Sequence, residues 1–548
     1  MVKVVISTRV RVIAATVVSG VLVLSSCGVF SDEPKTDSQR MLDVFASAIS
    51  AQDAARAAAL TSAPGQAATQ IGDTLAGMHA ESVSVSVTDP VEYSDHTASY
   101  GLTTTWHLGR DREFTTETTG TARKLTAGWR VQWEPTVLAS GLQAGGVLRS
   151  IRTDARPAPA VLDAARAPWM TLQPTNDIVI DPATTPNLPN TVRRLAAVIA
   201  PIAPLVTGPV IDRRLADAGG KPVQVVSLRD SDMTVLAGNP AAVPGVSVNR
   251  SGALLVTDRR VSSPLTDGIT NYWQAIRDAT SGWAVELADR NGAVTRLAGA
   301  QGPAAPSFST TFAPGVQLTV NESVVDVAQP ATMLVLDAQS GAILAAASND
   351  AADAAQASTG GSVLTATTTP GSTLTPVTTA IAAASKGDDE KAQRLLHALG
   401  LGVTYAIPGV SMPSANSSRV SAAAFDPDSL QVSPVSMGAF GVAMARMSSV
   451  APTFVSGVPT TVRGGDLGPV DAGVSAAVNA AMRATAKTGD ASDLTGAPGL
   501  RALVGTNGPQ GPGWFVGIVG KQVIVVHCAG ERSGSAALQV AQKYFRSR

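Results

Sequence analysis

A chain of 548 residues is too long for a single hydrophobic core, so about three or four domains are expected. Its formal net charge of −1 and charged fraction of 15% supply no basic surface of the kind nucleic acid or an anionic membrane would select. Hydrophobic residues reach 45% while aromatics are only 4%, so the cores are built from small aliphatic side chains, and the two cysteines, Cys27 and Cys528, exclude a disulfide framework.

At the N-terminus Lys3, Arg9 and Arg11 form a positive head, followed by an uncharged run from Val12 to Leu24 that suits a secretory signal and is too short to span a bilayer. Leu24-Ser25-Ser26-Cys27-Gly28 then places small residues before a cysteine at the first mature position, a pattern that resembles a bacterial lipobox. A thiol is required there because sulfur accepts the diacylglycerol, whose chains anchor a protein through roughly 0.8 kcal/mol per buried methylene. The expectation is a signal peptide over 1–26, lipidation at Cys27, a polar tether over 27–38, and a place on the outer face of the cytoplasmic membrane.

Met41, Leu42, Phe45, Ala48 and Ile49 lie at helical spacing, with Ser38 as the expected N-cap. From Ser82 the pattern changes to period two, through Val83, Val85 and Val87, then Tyr100, Leu102 and Trp106, then Trp129, Val131 and Trp133, which predicts antiparallel strands. Helices followed by a meander ending in Gly128-Trp129-Arg130-Val131 resemble the NTF2-like α+β cone that precedes the transpeptidase in some penicillin-binding proteins, including methicillin-resistance-type enzymes. The resemblance covers about 39–141 and implies a spacer. His79, His96 and His107 show no metal-ligand spacing, and no metal or cofactor is implied.

The stretch 142–305 mixes a helical run, Val192 to Leu205, with strand-like runs at Val223 to Leu228 and Ala253 to Val256. By its order along the chain it occupies the place of a mixed pedestal-like region, and Gln301-Gly302-Pro303-Ala304-Ala305-Pro306 reads as a linker.

In 306–548, Thr332 to Asp337 and Ala342 to Ala347 are apolar runs around a Ser340-Gly341 turn, as in a hairpin. Pro370-Gly371-Ser372-Thr373-Leu374-Thr375 resembles the Pro-Gly-Ser-x-x-Lys nucleophile motif of the penicillin-binding transpeptidases. Ser433-Pro434-Val435-Ser436-Met437 resembles the start of a core helix in that family, Trp514-Phe515-Val516-Gly517 and Gln522 to Val526 its closing strands, and Ala536 to Phe545 its last helix. The resemblance implies a serine β-lactamase-like sandwich of helices on an antiparallel sheet, and overall a multidomain α+β protein.

It also implies site residues. Ser372 stands at the nucleophile position, and Thr375 stands where the family has the lysine that takes the serine proton. A threonine hydroxyl is no base near neutral pH, so the roughly 10²- to 10⁴-fold help of a positioned base is lost. Lys487-Thr488-Gly489 matches the family's Lys-Thr-Gly strand, with Lys487 and Thr488 able to hold a substrate carboxylate. The Ser-x-Asn motif should lie on an insert before Leu399-Gly400-Leu401-Gly402, where only Lys386 to Ala398 remains; Ser414-Ala415-Asn416 follows that turn in a Pro-flanked loop and is rejected. Cys528 beside His527 lacks a third catalytic partner and reads as a core thiol.

These residues describe a penicillin-binding-protein-like lipoprotein of peptidoglycan synthesis or cell division with a degenerate transpeptidase domain, whose partners are stem peptides, β-lactams, or envelope and division proteins. One alternative is an active D,D-transpeptidase or carboxypeptidase acylated at Ser372, with Lys487, Lys386 or Lys391 as a rearranged base. Another is a non-covalent sensor of muropeptide or β-lactam.

Overall fold

The computed structural model describes residues 35–357, 361–411, 430–507 and 511–548. The stretch expected to be a signal peptide, Cys27 and Ser414-Ala415-Asn416 lie outside the described residues. The chain divides into two compact units: residues up to Ile151 together with Val285–Ala298, and Arg152–Ala284 together with Gly299–Arg548.

The first unit opens with α1 (Asp37–Ser50), α2 (Ala54–Ala59) and α3 (Pro64–Met78). Leu42, Phe45 and Ile49 of α1 are buried as their spacing requires. The N-cap is Thr36, whose hydroxyl accepts from Gln39 N at 3.3 Å, rather than Ser38; Ser38 is one residue inside the helix, buried, and donates to Glu92 Oε1 at 2.5 Å. Thr36 wins because only the residue just outside the helix keeps the extended backbone that aims a hydroxyl at the free first-turn N–H groups. An antiparallel sheet of order β1-β2-β3-β4 follows: β1 (Ser82–Glu92), β2 (Thr97–His107), β3 (Glu113–Leu125) and β4 (Gly128–Val131). Along β2, Ala98, Tyr100, Leu102, Thr104 and Trp106 are buried in strict alternation. Trp133 lies beyond β4, its backbone N–H bonded to Ser62 Oγ at 2.9 Å. The next strand is β5 (Val147–Thr153).

The second unit begins with β6 (Val161–Leu162), β7 (Pro168–Ile180), α4 (Leu188–Ile199), α5 (Gly208–Asp217), β8 (Val223–Arg229), α6 (Asp230–Met233), β9 (Val246–Val256) and α7 (Leu265–Ala279). The helix expected over 192–205 stops at Ile199 because Pro201 and Pro204 cannot continue it. β10 (Gly282–Ala288) and β11 (Val294–Ala300) join β5 in a three-stranded sheet of order β11-β10-β5. The next elements are β12 (Phe308–Ser309), α8 (Pro314–Val324), β13 (Ala331–Asp337), β14 (Ile343–Ser348), α9 (Asp350–Ala357), α10 (Thr375–Ser385), α11 (Asp389–Ala398) and β15 (Thr404–Ala406). The chain closes with α12 (Pro434–Arg446), β16 (Thr461–Arg463), α13 (Ala472–Lys487), β17 (Arg501–Thr506), β18 (Gly513–Val519), β19 (Gln522–Cys528) and α14 (Ser533–Ser547).

The C-terminal sheet is antiparallel throughout, in the order β14-β13-β19-β18-β17. Its β13–β14 hairpin turns where the Asp337 carboxylate accepts from Ser340 N at 2.7 Å and Gly341 adopts φ +74°. Successive residues face opposite cores. Leu334, Leu336, Trp514, Val516, Val523 and Val525 pack on one side with Met437, Phe440 and Met444 of α12. Met333, Val335, Phe515, Ile524 and Val526 pack on the other with Val320 of α8 and Val540 and Tyr544 of α14. Burial on both faces is why these strands read as unbroken apolar runs.

The first core also takes in Trp169, Met170, Leu265, Ile269 and Trp273, and Trp169 stacks on Phe312 with ring centroids 3.9 Å apart. Part of the stretch expected to be pedestal-like therefore shares a core with the C-terminal sheet. Periodicity within either stretch carries no sign of this, because the shared contacts are remote in sequence.

Candidate functional site

Pro370-Gly371-Ser372 does open a helix. A 3₁₀ turn over Gly371–Leu374 runs into α10, and Ser372 is exposed in that turn. Its hydroxyl is engaged twice, donating to Thr506 O and accepting from Thr506 N, each at 3.1 Å. Thr369, just ahead of the turn, is held nearby: Asn507 Nδ2, one residue past β17, donates to Thr369 Oγ1 at 2.6 Å, and the Trp514 indole of β18 donates to Thr369 O at 3.2 Å.

Two glycines permit this approach. A Cβ on Gly505 would lie 2.3 Å from Thr373 N and 2.6 Å from Ser372 Oγ, and one on Gly371 would lie 2.5 Å from Thr506 O. Gly371 also adopts φ +53°, which an L side chain resists. The serine hydroxyl and the strand edge thus lie in direct hydrogen-bond contact, with Ser372 open to solvent.

Thr375 is exposed as the first residue of α10, and its backbone N–H donates to Ser372 O. It has no titratable group to offer Ser372. Lys386 is the left-handed C-cap of α10, about 20 Å from Ser372 along an axis rising 1.5 Å per residue, which is beyond a lysine's reach. Lys391 turns its ammonium onto Ala384 O at 2.7 Å, near that same far end. Neither can serve as the rearranged base.

Lys487-Thr488-Gly489 requires correction. Lys487 is the last residue of helix α13, Thr488 is its C-cap with its hydroxyl on Ala484 O at 3.2 Å, and Gly489 N donates to the same carbonyl at 3.1 Å. A basic residue in the last turn followed closely by glycine is an ordinary helix stop, and those chemical preferences produced the letters without a strand. The strand that does meet Ser372 is β17, with Val504-Gly505-Thr506. If Gly505 is taken as the motif's glycine, the lysine position falls on Leu503, which is buried in the core. Gly505 and Thr506 were missed in the sequence; their usable signal was position, just ahead of Trp514-Phe515-Val516-Gly517, which the Lys-Thr-Gly letters upstream obscured.

His527 and Cys528 face opposite sides of the sheet. His527 lies against Trp514 at 4.4 Å between centroids, and burial pushes its imidazole down to about 4. Cys528 belongs to the other core, and burial pushes its thiol up to about 12. They form no catalytic pair, as a core thiol requires. A cavity of about 940 Å³ lies elsewhere in this unit, lined by Ser263, Asp267, Asn321, Asp350, Asp353 and neighbours; Ser372, Thr375 and Lys487 do not line it.

The first unit supplies the decisive likeness. Residues 37–145 match the NTF2-like N-terminal transpeptidase domain. The match agrees with the helices and meander of the first unit. No curated protein matches the chain. Within the NTF2-like domain the histidines have structural work: His79 is the left-handed C-cap of α3, and His107 bridges Glu113 Oε1 at 2.9 Å and Ser84 Oγ at 3.4 Å. Among the described residues no group of three or more His, Cys, Asp or Glu could hold a metal ion, and no helix is long and apolar enough to cross a membrane.

Proposed function

We propose that this chain is an exported envelope lipoprotein related to penicillin-binding proteins, anchored through Cys27 to the outer face of the cytoplasmic membrane. Its transpeptidase-like part serves peptidoglycan synthesis or cell division as a binding or scaffold module and performs no acyl transfer. The NTF2-like match and the antiparallel sheet with helices on both faces support the kinship. The observation that carries the loss of chemistry is the Ser372 hydroxyl, held in both directions by the Thr506 backbone, with Thr375 and Leu503 where cationic groups would be needed. A nucleophile without a base forfeits proton removal.

Incubation of the chain with fluorescent penicillin, followed by peptide mapping, is expected to show no adduct at Ser372. An adduct there, abolished in Ser372→Ala, overturns the inactive reading and restores the acyl-transfer alternative. Stem peptides or β-lactams held without reaction, and envelope or division proteins, are the partners this role calls for.

A further inference from the structure

The NTF2-like domain has two unlike ends. The turns after β1 and after β3 both close at one of them, as a meander of order β1-β2-β3-β4 requires, and Lys124 N donates to His96 O at 3.0 Å across the two turns. The chain also enters the domain there, because Ser38 Oγ at the start of α1 donates to Oε1 of Glu92, the last residue of β1, at 2.5 Å. The turn after β2 closes the opposite end, about 33 Å away along β2.

Among the described residues up to Ile151, four large apolar side chains are exposed, Val44, Val91, Tyr93 and Leu125, and the last three gather at the entry end. Val91 lies opposite Ser99, and the Tyr93 hydroxyl meets Ser99 Oγ at 3.2 Å, so both occupy the solvent face of the sheet. Leu125 ends β3 on that same face, since the alternation of β3 buries Phe114, Thr118 and Ala122 on the other. Single exposed apolar residues are ordinary. Three at two bonded turn tips, with none of the four at the turn after β2, are a grouping. Charge does not mark this end: Lys35 pairs with Asp43 and Arg40 with Asp37, while Lys124 and Arg123 stand near Glu92 and Asp95.

The length of the preceding chain says what can cover these tips. Lys35 is eight residues beyond Cys27, a span of at most roughly 28 Å. A bilayer that holds Cys27 is therefore within reach of the entry end, whereas the turn after β2 lies farther along the sheet than the tether can extend. Tyrosine suits the headgroup level, with its ring in the apolar boundary and its hydroxyl in water, and valine and leucine gain by leaving water beside it.

We infer, on the reading of Cys27 as a lipid anchor, that Val91, Tyr93 and Leu125 rest in the surface of the bilayer that holds Cys27 and set the NTF2-like domain with its entry end down. The contact is apolar, so it does not require anionic lipid. The test couples the chain from Cys27 onward to a maleimide headgroup in phosphatidylcholine vesicles; Cys528 is buried, which leaves Cys27 to react. Coupling in this way reads the tips whether or not a cell lipidates Cys27, and mass spectrometry of Cys27 from cells tests the anchor separately.

Amide exchange over 92–97 and 125–128 is expected to slow about tenfold on coupling, with 108–112 unchanged. The variant carrying Val91→Ser, Tyr93→Ser and Leu125→Ser should lose that slowing while Leu102 in the middle of β2 stays protected, because the three side chains are exposed and the core is untouched. Equal exchange before and after coupling, slowing at both ends of the sheet, or slowing that survives in the triple variant overturns the inference. Slowing that grows with protein concentration in the absence of vesicles would give the tips to a second copy of the chain and overturns it too.

Discussion

The interior of the C-terminal sheet and its edge at β17 obey different rules. In β13, β18 and β19 nearly every residue is buried, and each is explained by the core on its own side. At β17 the decisive contacts are small and polar: two glycines that let backbones meet, and one serine hydroxyl that closes the edge. The interior preserves a fold through bulk and tolerates exchange among apolar residues of similar size. The edge depends on individual atoms, so a frame can persist while the chemistry at its rim is replaced.

Three experiments test that contrast, beginning with the largest effect. His527 belongs to the interior, and its imidazole, pushed down to about 4, stays neutral in the folded chain, whereas the unfolded chain binds a proton near 6.5. The unfolded state therefore binds more protons below that value. The contribution is fully present above pH 6.5 and is lost as pH falls toward 4, by up to about 3 kcal/mol. Urea midpoints measured from pH 7 to 4.5 should fall more steeply for the wild type than for His527→Phe, and parallel profiles would place His527 in solvent.

Gly505→Ala drives a methyl group into Thr373 N and Ser372 Oγ, and should cost about 1–3 kcal/mol through strain at the edge. A midpoint equal to wild type would mean that the serine and the strand stand farther apart than the two hydrogen bonds require. Ser372→Ala removes both bonds to Thr506 and should cost about 1 kcal/mol, with faster amide exchange at Thr506. A stabilising effect, as expected of a strained catalytic serine, would sink the idea that this hydroxyl has become structural.

The elements set by periodicity were legible in the sequence: Leu42, Phe45 and Ile49 on α1, the alternation along β2, and the double-faced runs of β13, β18 and β19. The helix starting at Pro434 was legible too, through the likeness of Ser433-Pro434-Val435-Ser436-Met437 to a family helix start, and the structure adds the cap, with the Ser433 hydroxyl accepting from Ser436 N at 3.2 Å. The candidate site was legible only in part. Ser372 declares itself through Pro370-Gly371, but its partner is a backbone amide and carbonyl of Thr506, and backbone groups carry no letter. Lys487-Thr488-Gly489 misled for the opposite reason: a motif three residues long is written equally well by a helix stop. The core shared by Trp169 and Phe312 escaped because it joins residues remote in sequence through packing alone.

The first unit is completed by Val285–Ala298, more than a hundred residues after Ile151. That segment becomes available only after the chain between them has emerged. Until then the β5 end of the first unit lacks its neighbour, with strand hydrogen-bonding groups open to any other chain nearby. A fragment cut at residue 150 would hold that waiting condition permanently, which makes the returning segment a safeguard against aggregation as much as a part of the architecture.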